Sequence, residues 1–189
     1  MYKAMIKAKD LGVTMTLHEE VDGVSDIDYE IAEDAMTIRD CYYAYKLNCP
    51  VHFSHVSTKG AIKAIKYFKD LGAPITCEVT PHHLLLSDKG RDEIKVNPPI
   101  RKEGDRKTLI DMIKAGVVDT ISTDHAPHSK EDKDNGSPGF IGIETAFNTC
   151  YEVLVKSGEI SLNQLVKIMS TNPARLLGLN KGKIDVGFE

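Results

Sequence analysis

Val117 to Ser129 reads VVDTISTDHAPHS. The β-branched run Val117, Val118, Thr120, Ile121 and Thr123 has few charges and predicts a buried strand. It stops abruptly at Asp124-His125-Ala126-Pro127-His128, so a carboxylate and two imidazoles stand at the C-terminal end of a strand. In barrels of alternating strands and helices, catalytic side chains collect at that end. Asp124, ionised at neutral pH and held by a strand end, suits a metal ligand or a general base. Pro127 restricts the loop that presents His128. The competing reading is a helix-capping aspartate followed by turn histidines. It loses ground because the rest of the chain repeats the arrangement.

Before this strand, Glu103 to Ala115 predicts a helix that Gly116 ends. Earlier still, three strands deliver histidines. Val13 to Leu17 leads into His18-Glu19-Glu20, Pro50 to Ser54 into His55, and Ile75 to Thr80 into Pro81-His82-His83. In the second of these, Val51, Phe53 and His55 share one face and His52 the other. His55 is therefore the ligand candidate, and His52 packs or hydrogen-bonds. Between the strands, Tyr29 to Leu47 carries Ile31, Ala35, Ile38, Tyr42 and Tyr45 at helical spacing, with Ser25 or Asp28 as cap. Thr58 to Leu71 is an amphipathic helix closed by Gly72. A loop through Gly90 leads to Lys95 to Arg101, KVNPPIR, where two prolines exclude regular structure and expose Asn97 and Arg101.

The chain opens with a helix over Met1 to Leu11, with Met1, Ala4, Met5, Ala8 and Leu11 on one face. After the fourth strand, Ser129 to Gly139 has the composition of a mobile active-site loop or, equally, of a plain surface loop. Helices follow over Ile143 to Lys156, from Ser161, and after Thr171-Asn172-Pro173, and Ile184 to Glu189 begins a strand. A helix and then four strand–helix units demand an α/β fold with a parallel sheet and right-handed crossovers. Four units are half of a TIM (β/α)8 barrel, which needs about 250 residues to close. The 189 residues form one domain.

Composition narrows the function classes. The net charge of −4, with lysines and arginines scattered among acids, gives no basic stripe for nucleic acid. No run of some eighteen apolar residues marks a membrane span, and the N-terminus has no export-signal pattern. Cys41, Cys49, Cys77 and Cys150 occur singly, which reads as reduced thiols in a cytoplasmic protein. There is no G-x-S-x-G elbow, no Walker pattern and no G-x-G-x-x-G. What remains is His18, His55, His82, His83 and Asp124 on one rim, a donor set that suits zinc or a neighbouring divalent ion.

Five motifs in order carry a resemblance: VHFSHVST (51–58), EVTPHHLLL (78–86), KVNPPIR (95–101), DTISTDHAPH (119–128) and GIETAF (142–147). Together they resemble the dihydroorotases of the amidohydrolase superfamily. The pair DHAPH and GIETAF is more like that family than like allantoinase or dihydropyrimidinase. The resemblance implies His18 and His55 as the metal histidines of the fifth and sixth barrel strands. It implies Asp124 as the eighth-strand aspartate that binds the other metal and exchanges a proton with the bridging hydroxide. Asn97 and His128 match positions that hold the substrate's ring and carboxylate, while His82 and His83 match a signature without a defined ligand role. The implied reaction is the reversible interconversion of N-carbamoyl-L-aspartate and dihydroorotate in pyrimidine biosynthesis, with one or two Zn2+ ions.

The sequence also departs from that family. The first-strand His-x-His, a nearby substrate-binding arginine and the fourth-strand bridging residue have no counterpart. The loop between His18 and His55 is short, and Pro138-Gly139-Phe140 departs from the usual order. Lys181 to Glu189 looks like the entry to a small β-sandwich. These features predict strands 5 to 8 of a barrel that is incomplete alone, acting as a homo-oligomer or paired with a separate N-terminal half. Another cyclic amidohydrolase and an inactive fragment or interaction module are the alternatives.

Overall fold

The computed structural model describes residues 1–89 and 94–189. The loop expected through Gly90 falls partly on residues 90–93, outside the described residues. The chain begins with α1 (Tyr2–Leu11), then β1 (Met15–Leu17), α2 (Tyr29–Leu47), β2 (Val51–Phe53), α3 (Lys59–Asp70) and β3 (Ile75–Val79). One turn of helix, α4 (Pro81–Leu85), and α5 (Glu103–Lys114) lead to β4 (Thr120–Ile121). After it come α6 (Lys130–Asp134), α7 (Ala146–Cys150), α8 (Leu162–Val166) and α9 (Asn172–Leu176). A π-helical turn extends α7 to Lys156, and another joins α8 to α9.

Among the described residues the strands form one sheet in the order β1-β2-β3-β4, every neighbour parallel. Leu17 pairs with Phe53, Phe53 with Cys77, and Val79 with Ile121. These outward residues are buried against the helices, together with Met5, Ile62, Ile65 and Leu109. The alternate residues Thr16, His52, Thr76, Glu78 and Thr120 line the concave side, which opens on a cavity of about 760 Å3. There His52 Nδ1 lies 2.8 Å from Thr76 Oγ1 and its Nε2 3.1 Å from Glu78 Oε2, so His52 hydrogen-bonds as expected. The predicted half-barrel is thus present, and it places all four strand ends on one rim.

Caps fix where the helices start. Asp28 accepts from Ile31 N at 3.0 Å, and Thr58 from Ala61 N at 3.1 Å, each satisfying an orphan amide of the first turn. The face that α2 buries differs from the expected one. Ile31, Ile38 and Tyr42 are 56%, 50% and 48% exposed, whereas Ala32, Glu33, Thr37, Asp40, Cys41 and Ala44 are buried. Small and polar groups win this face because Glu33 finds partners inside, as described below. In α1 only Met5 and Ala8 of the expected face are buried.

Other boundaries shift. Of the run 117–123, only Thr120–Ile121 is strand, although Val117 and Val118 are buried before it. Ser129 to Gly139 contains the capped turn α6 in place of an open loop. The expected strand at 184–189 is turns and irregular chain, with Ile184 and Val186 fully exposed. No helix of the described residues is long and apolar enough to cross a membrane.

Phe53 is wholly buried at the centre of this core. Phe53→Ala should destabilise the chain by about 3–5 kcal/mol in urea unfolding. Ile38→Ser, at a position where the sequence pattern predicts core, should stay within about 0.5 kcal/mol of the parent.

Candidate active site

Two predicted ligands meet at the ends of β1 and β2. His18 follows β1 directly, and its Nδ1 lies 2.9 Å from His55 Nε2. The rings meet edge to face with centroids 4.7 Å apart. Strand alternation does not produce this pairing. Val51 and Phe53 pack on the helices, and His55 shares their parity, so a continued strand would send it outward. His55 instead adopts φ 34°, in the left-handed region that non-glycine residues rarely occupy. That backbone reversal brings its ring to His18. Asp124 is left-handed too, with φ 48°. Such conformations cost roughly 1–3 kcal/mol each and persist only where their surroundings enforce them.

Glu33 enforces the reversal at His55. Its buried carboxylate accepts from Ser57 N at 2.8 Å, Thr58 N at 3.1 Å and Arg101 Nη2 at 2.9 Å, and from the Ser57 hydroxyl. Arg101 Nε also donates to Ser57 Oγ at 2.8 Å, and its guanidinium lies 5.0 Å from the centre of the Tyr29 ring. Arg101, expected to be exposed, is therefore the partner of a buried carboxylate. It ties the 95–101 segment to the end of β2.

Glu20 orients the other histidine. Its Oε2 lies 2.9 Å from His18 Nε2, accepts from the Tyr29 hydroxyl at 2.7 Å and from Asn97 Nδ2 at 3.2 Å. Asn97, also expected to be exposed, is half-buried in this network, and its Oδ1 contacts the Tyr29 hydroxyl. Desolvation works to raise the Glu20 pKa, but hydrogen bonds from His18, Tyr29, Ser25 and Asn97 outweigh it and hold the carboxyl down at about 2. A carboxylate beside Nε2 assigns that nitrogen the proton, so the Nδ1 lone pair faces His55. Burial, followed by the neighbouring His18, lowers the His55 pKa and favours its neutral form.

The other predicted groups are placed differently. Asp124 is close enough for its charge to act on His55 and His82. His128 is exposed on the loop after β4. His82 and His83 belong to α4, capped by Thr80, and are buried. His83 Nε2 donates to the carbonyls of Pro98 and Pro99 at 3.2 and 3.1 Å, so Nδ1 accepts from Thr80 Oγ1 at 2.7 Å. It is an internal strut for the segment bearing Asn97, turned away from the rim. Among the described residues, His82 Nε2 is buried without a hydrogen-bond partner, as are both carboxylate oxygens of Glu19. Burial above all, then the charge of Asp40, pushes the Glu19 pKa up to about 8 against the pull of Arg39.

The His18–His55 pair fits a metal. Two nitrogens on tetrahedral zinc, with bonds of ~2.0–2.1 Å, stand roughly 3.3 Å apart. The observed 2.9 Å is the same approach with a proton in the ion's place. Glu20 behind His18 is the carboxylate–histidine arrangement that orients metal-bound imidazoles. Among the described residues, no three His, Cys, Asp or Glu side chains converge closely enough to hold an ion by themselves. Sequence reasoning missed Glu20, Glu33 and Tyr29. The position of Glu20, two residues after His18, was the available signal, while a glutamate inside a helix reads as solvated.

Comparison with known proteins gives concordant results. The profile of the amidohydrolase family matches residues 1–189. A dihydroorotase of Clostridium botulinum is 52% identical over 189 residues, 100% of this chain and 47% of that protein. One from Clostridioides difficile is 36% identical, over 98% of this chain and 50% of that protein. Among solved structures, dihydropyrimidinase from Brevibacillus agri superposes with a TM-score of 0.93 at 26% identity, over 100% of this chain and 49% of that one. A D-hydantoinase from a Thermus species gives 0.91 at 28% identity, with the same coverage. The chain spans about half the length of the relatives it matches.

Burial, chiefly, lowers the His83 pKa from 6.5 to about 4. At His83 the folded state then binds fewer protons than the unfolded one, so this residue's contribution to stability is full above pH 6.5 and falls between 6.5 and 4. Denaturant titrations across that window should show a loss of about 3 kcal/mol from His83. His83→Gln should flatten that part of the slope, leaving the share of His82, which burial lowers to about 3.

Proposed function

Since the chain belongs to the amidohydrolase family, whose profile covers it from end to end, we propose that it carries the C-terminal half of a dihydroorotase site. The reaction is the reversible hydrolysis of dihydroorotate to N-carbamoyl-L-aspartate. The observation that carries this reading is the apposed His18–His55 nitrogen pair, backed by Glu20, at the C-terminal rim of a parallel half-barrel. Sequence likeness to dihydroorotases exceeds that to the dihydropyrimidinase and hydantoinase structures, which favours dihydroorotate over other cyclic amides.

In this reading His18 and His55 hold one metal ion and Asp124 the other, and imidazoles with a carboxylate suit zinc. When bound, zinc supplies Lewis acidity to the amide carbonyl and lowers the pKa of the attacking water towards neutrality. Glu20 keeps the His18 proton on Nε2 and so leaves Nδ1 free as a donor atom. Asp124 takes the proton of the attacking water and returns it to the departing ring nitrogen as the amide bond breaks; in ring closure the same steps run backwards. Asn97, anchored through one amide hydrogen to Glu20, offers the other to the substrate's ring. His128 pairs with the substrate's carboxylate.

The relatives are about twice as long as this chain, so the strands that complete such a barrel lie outside these 189 residues. The four free, buried cysteines support a reducing, cytoplasmic setting. Zinc content and dihydroorotate turnover, measured on the same purified sample, test the reading. The isolated chain should hold zinc weakly and turn over nothing. Mixed with the N-terminal half of the Clostridium botulinum relative, it should open dihydroorotate, and Asp124→Asn should abolish that activity. Full turnover by the isolated chain, or a mixed enzyme that opens dihydrouracil in preference to dihydroorotate, would contradict it.

A further inference from the structure

The connection from β4 to α7 carries His128 and is closed at its neck. Ala126 N donates to Phe140 O at 3.0 Å, His125 pairs with Phe140 in parallel, and Gly142 N donates to His125 Nδ1 at 3.1 Å. Beyond the neck, Ser129 and Asp132 form a reciprocal cap for α6: the Ser129 hydroxyl accepts from Asp132 N at 3.1 Å and the Asp132 carboxylate from Ser129 N at 3.2 Å. That turn sends one side chain inward. Lys133 Nζ donates to Ser137 O at 2.9 Å, Gly139 O at 3.0 Å and Lys95 O at 3.2 Å. An ammonium has three donors, and here each has a backbone carbonyl. The three carbonyls belong to two separate segments of chain.

Two of these contacts lead to the residues at the rim. The Lys95 carbonyl also accepts from Gly139 N at 3.0 Å, so the loop is fastened to the chain two residues before Asn97. At Gly139, an added Cβ would lie 2.4 Å from Ala126 O and 2.7 Å from the His128 ring. Only glycine lets the loop pass this close beneath His128. Lys133 therefore reaches His128 through Gly139 and Asn97 through Lys95.

We propose that Lys133 is a positioning residue whose ammonium clasps the His128 loop onto the Asn97 segment and so sets the spacing of those two groups. What the two groups hold, the carboxylate and ring of one ligand, rests on the function proposed above; the clasp itself does not. A lysine on a short polar turn otherwise reads as a solvated charge.

The test uses the full chain with Lys133→Met, which keeps the stem and removes the donors, and Lys133→Arg, which restores cationic donors. Hydrogen exchange is followed at the amides of Ala126 and Gly139. N-carbamoyl-L-aspartate is titrated into the zinc-loaded mixture of the chain with the N-terminal half of the Clostridium botulinum relative, with the His128 ring resonances as probe. In Lys133→Met both amides should exchange at least roughly tenfold faster, as expected for loss of charge-assisted hydrogen bonds, while the Phe53 and Cys77 amides keep their protection. The ligand concentration for half response at His128 should rise about tenfold, and Lys133→Arg should recover much of both effects. Unchanged exchange in Lys133→Met would overturn the proposal, and so would a loosened loop with an unaltered response at His128. A parent mixture that ignores the compound would count against the dihydroorotase reading, and exchange would then decide the clasp by itself.

Discussion

The carboxylate of Glu33 joins three parts of the chain that share no sequence proximity. It projects from α2 into a buried position, accepts the amides of Ser57 and Thr58 and pairs with Arg101. The amides belong to the turn at the end of β2, where His55 is held with left-handed φ, and the guanidinium belongs to the segment that carries Asn97. Removing one member of a buried ion pair strands the other at a cost of about 3–5 kcal/mol. Here that cost would fall on the geometry of the rim. The strained conformation at His55 needs a surrounding structure that over-determines it, and Glu33 with its partners is that structure.

A second carboxylate works from the opposite side. Glu20 reaches His18, Tyr29 and Asn97 together, so the His18 ring and the Asn97 amide are aligned by one group. The two networks touch at Tyr29, whose hydroxyl meets Glu20 and whose ring lies against Arg101. The concave face of the sheet carries Thr16, His52, Thr76 and Glu78 and opens on a cavity that Met169, Pro173, Leu176 and Leu177 also line. A parallel sheet is normally covered on both sides. Here the long helices pack on the outer side, and the described residues leave the cavity on the other, which agrees with the overlap with half of each hydantoinase-type barrel.

Much of this arrangement can be read in the sequence. Alternating β-branched runs gave the strands, glycines and caps gave the helix ends, and each strand ended in residues suited to chemistry. The face of α2 could not be read, because Ile31, Ile38 and Tyr42 make a better apolar stripe than Ala32, Thr37 and Cys41. Periodicity weighs hydrophobicity alone, whereas burial of Glu33 depends on amides and a guanidinium supplied from 24 to 68 residues away. His55 shows the same limit: its parity pointed to the helices, and a backbone reversal fixed by tertiary contacts sent it to the rim. Likewise His83 follows the same strand as His82, yet the carbonyls of Pro98 and Pro99 draw it inside.

The measurement that bears most directly on this account is the 15N–15N scalar coupling across the hydrogen bond between His18 Nδ1 and His55 Nε2, recorded on the metal-free chain before and after Glu33→Gln. The parent should show the coupling, and the variant should lose it while its far-ultraviolet circular dichroism stays unchanged. A coupling that survives the substitution, or one absent from the parent, would contradict the claim that Glu33 sets the His18–His55 pair.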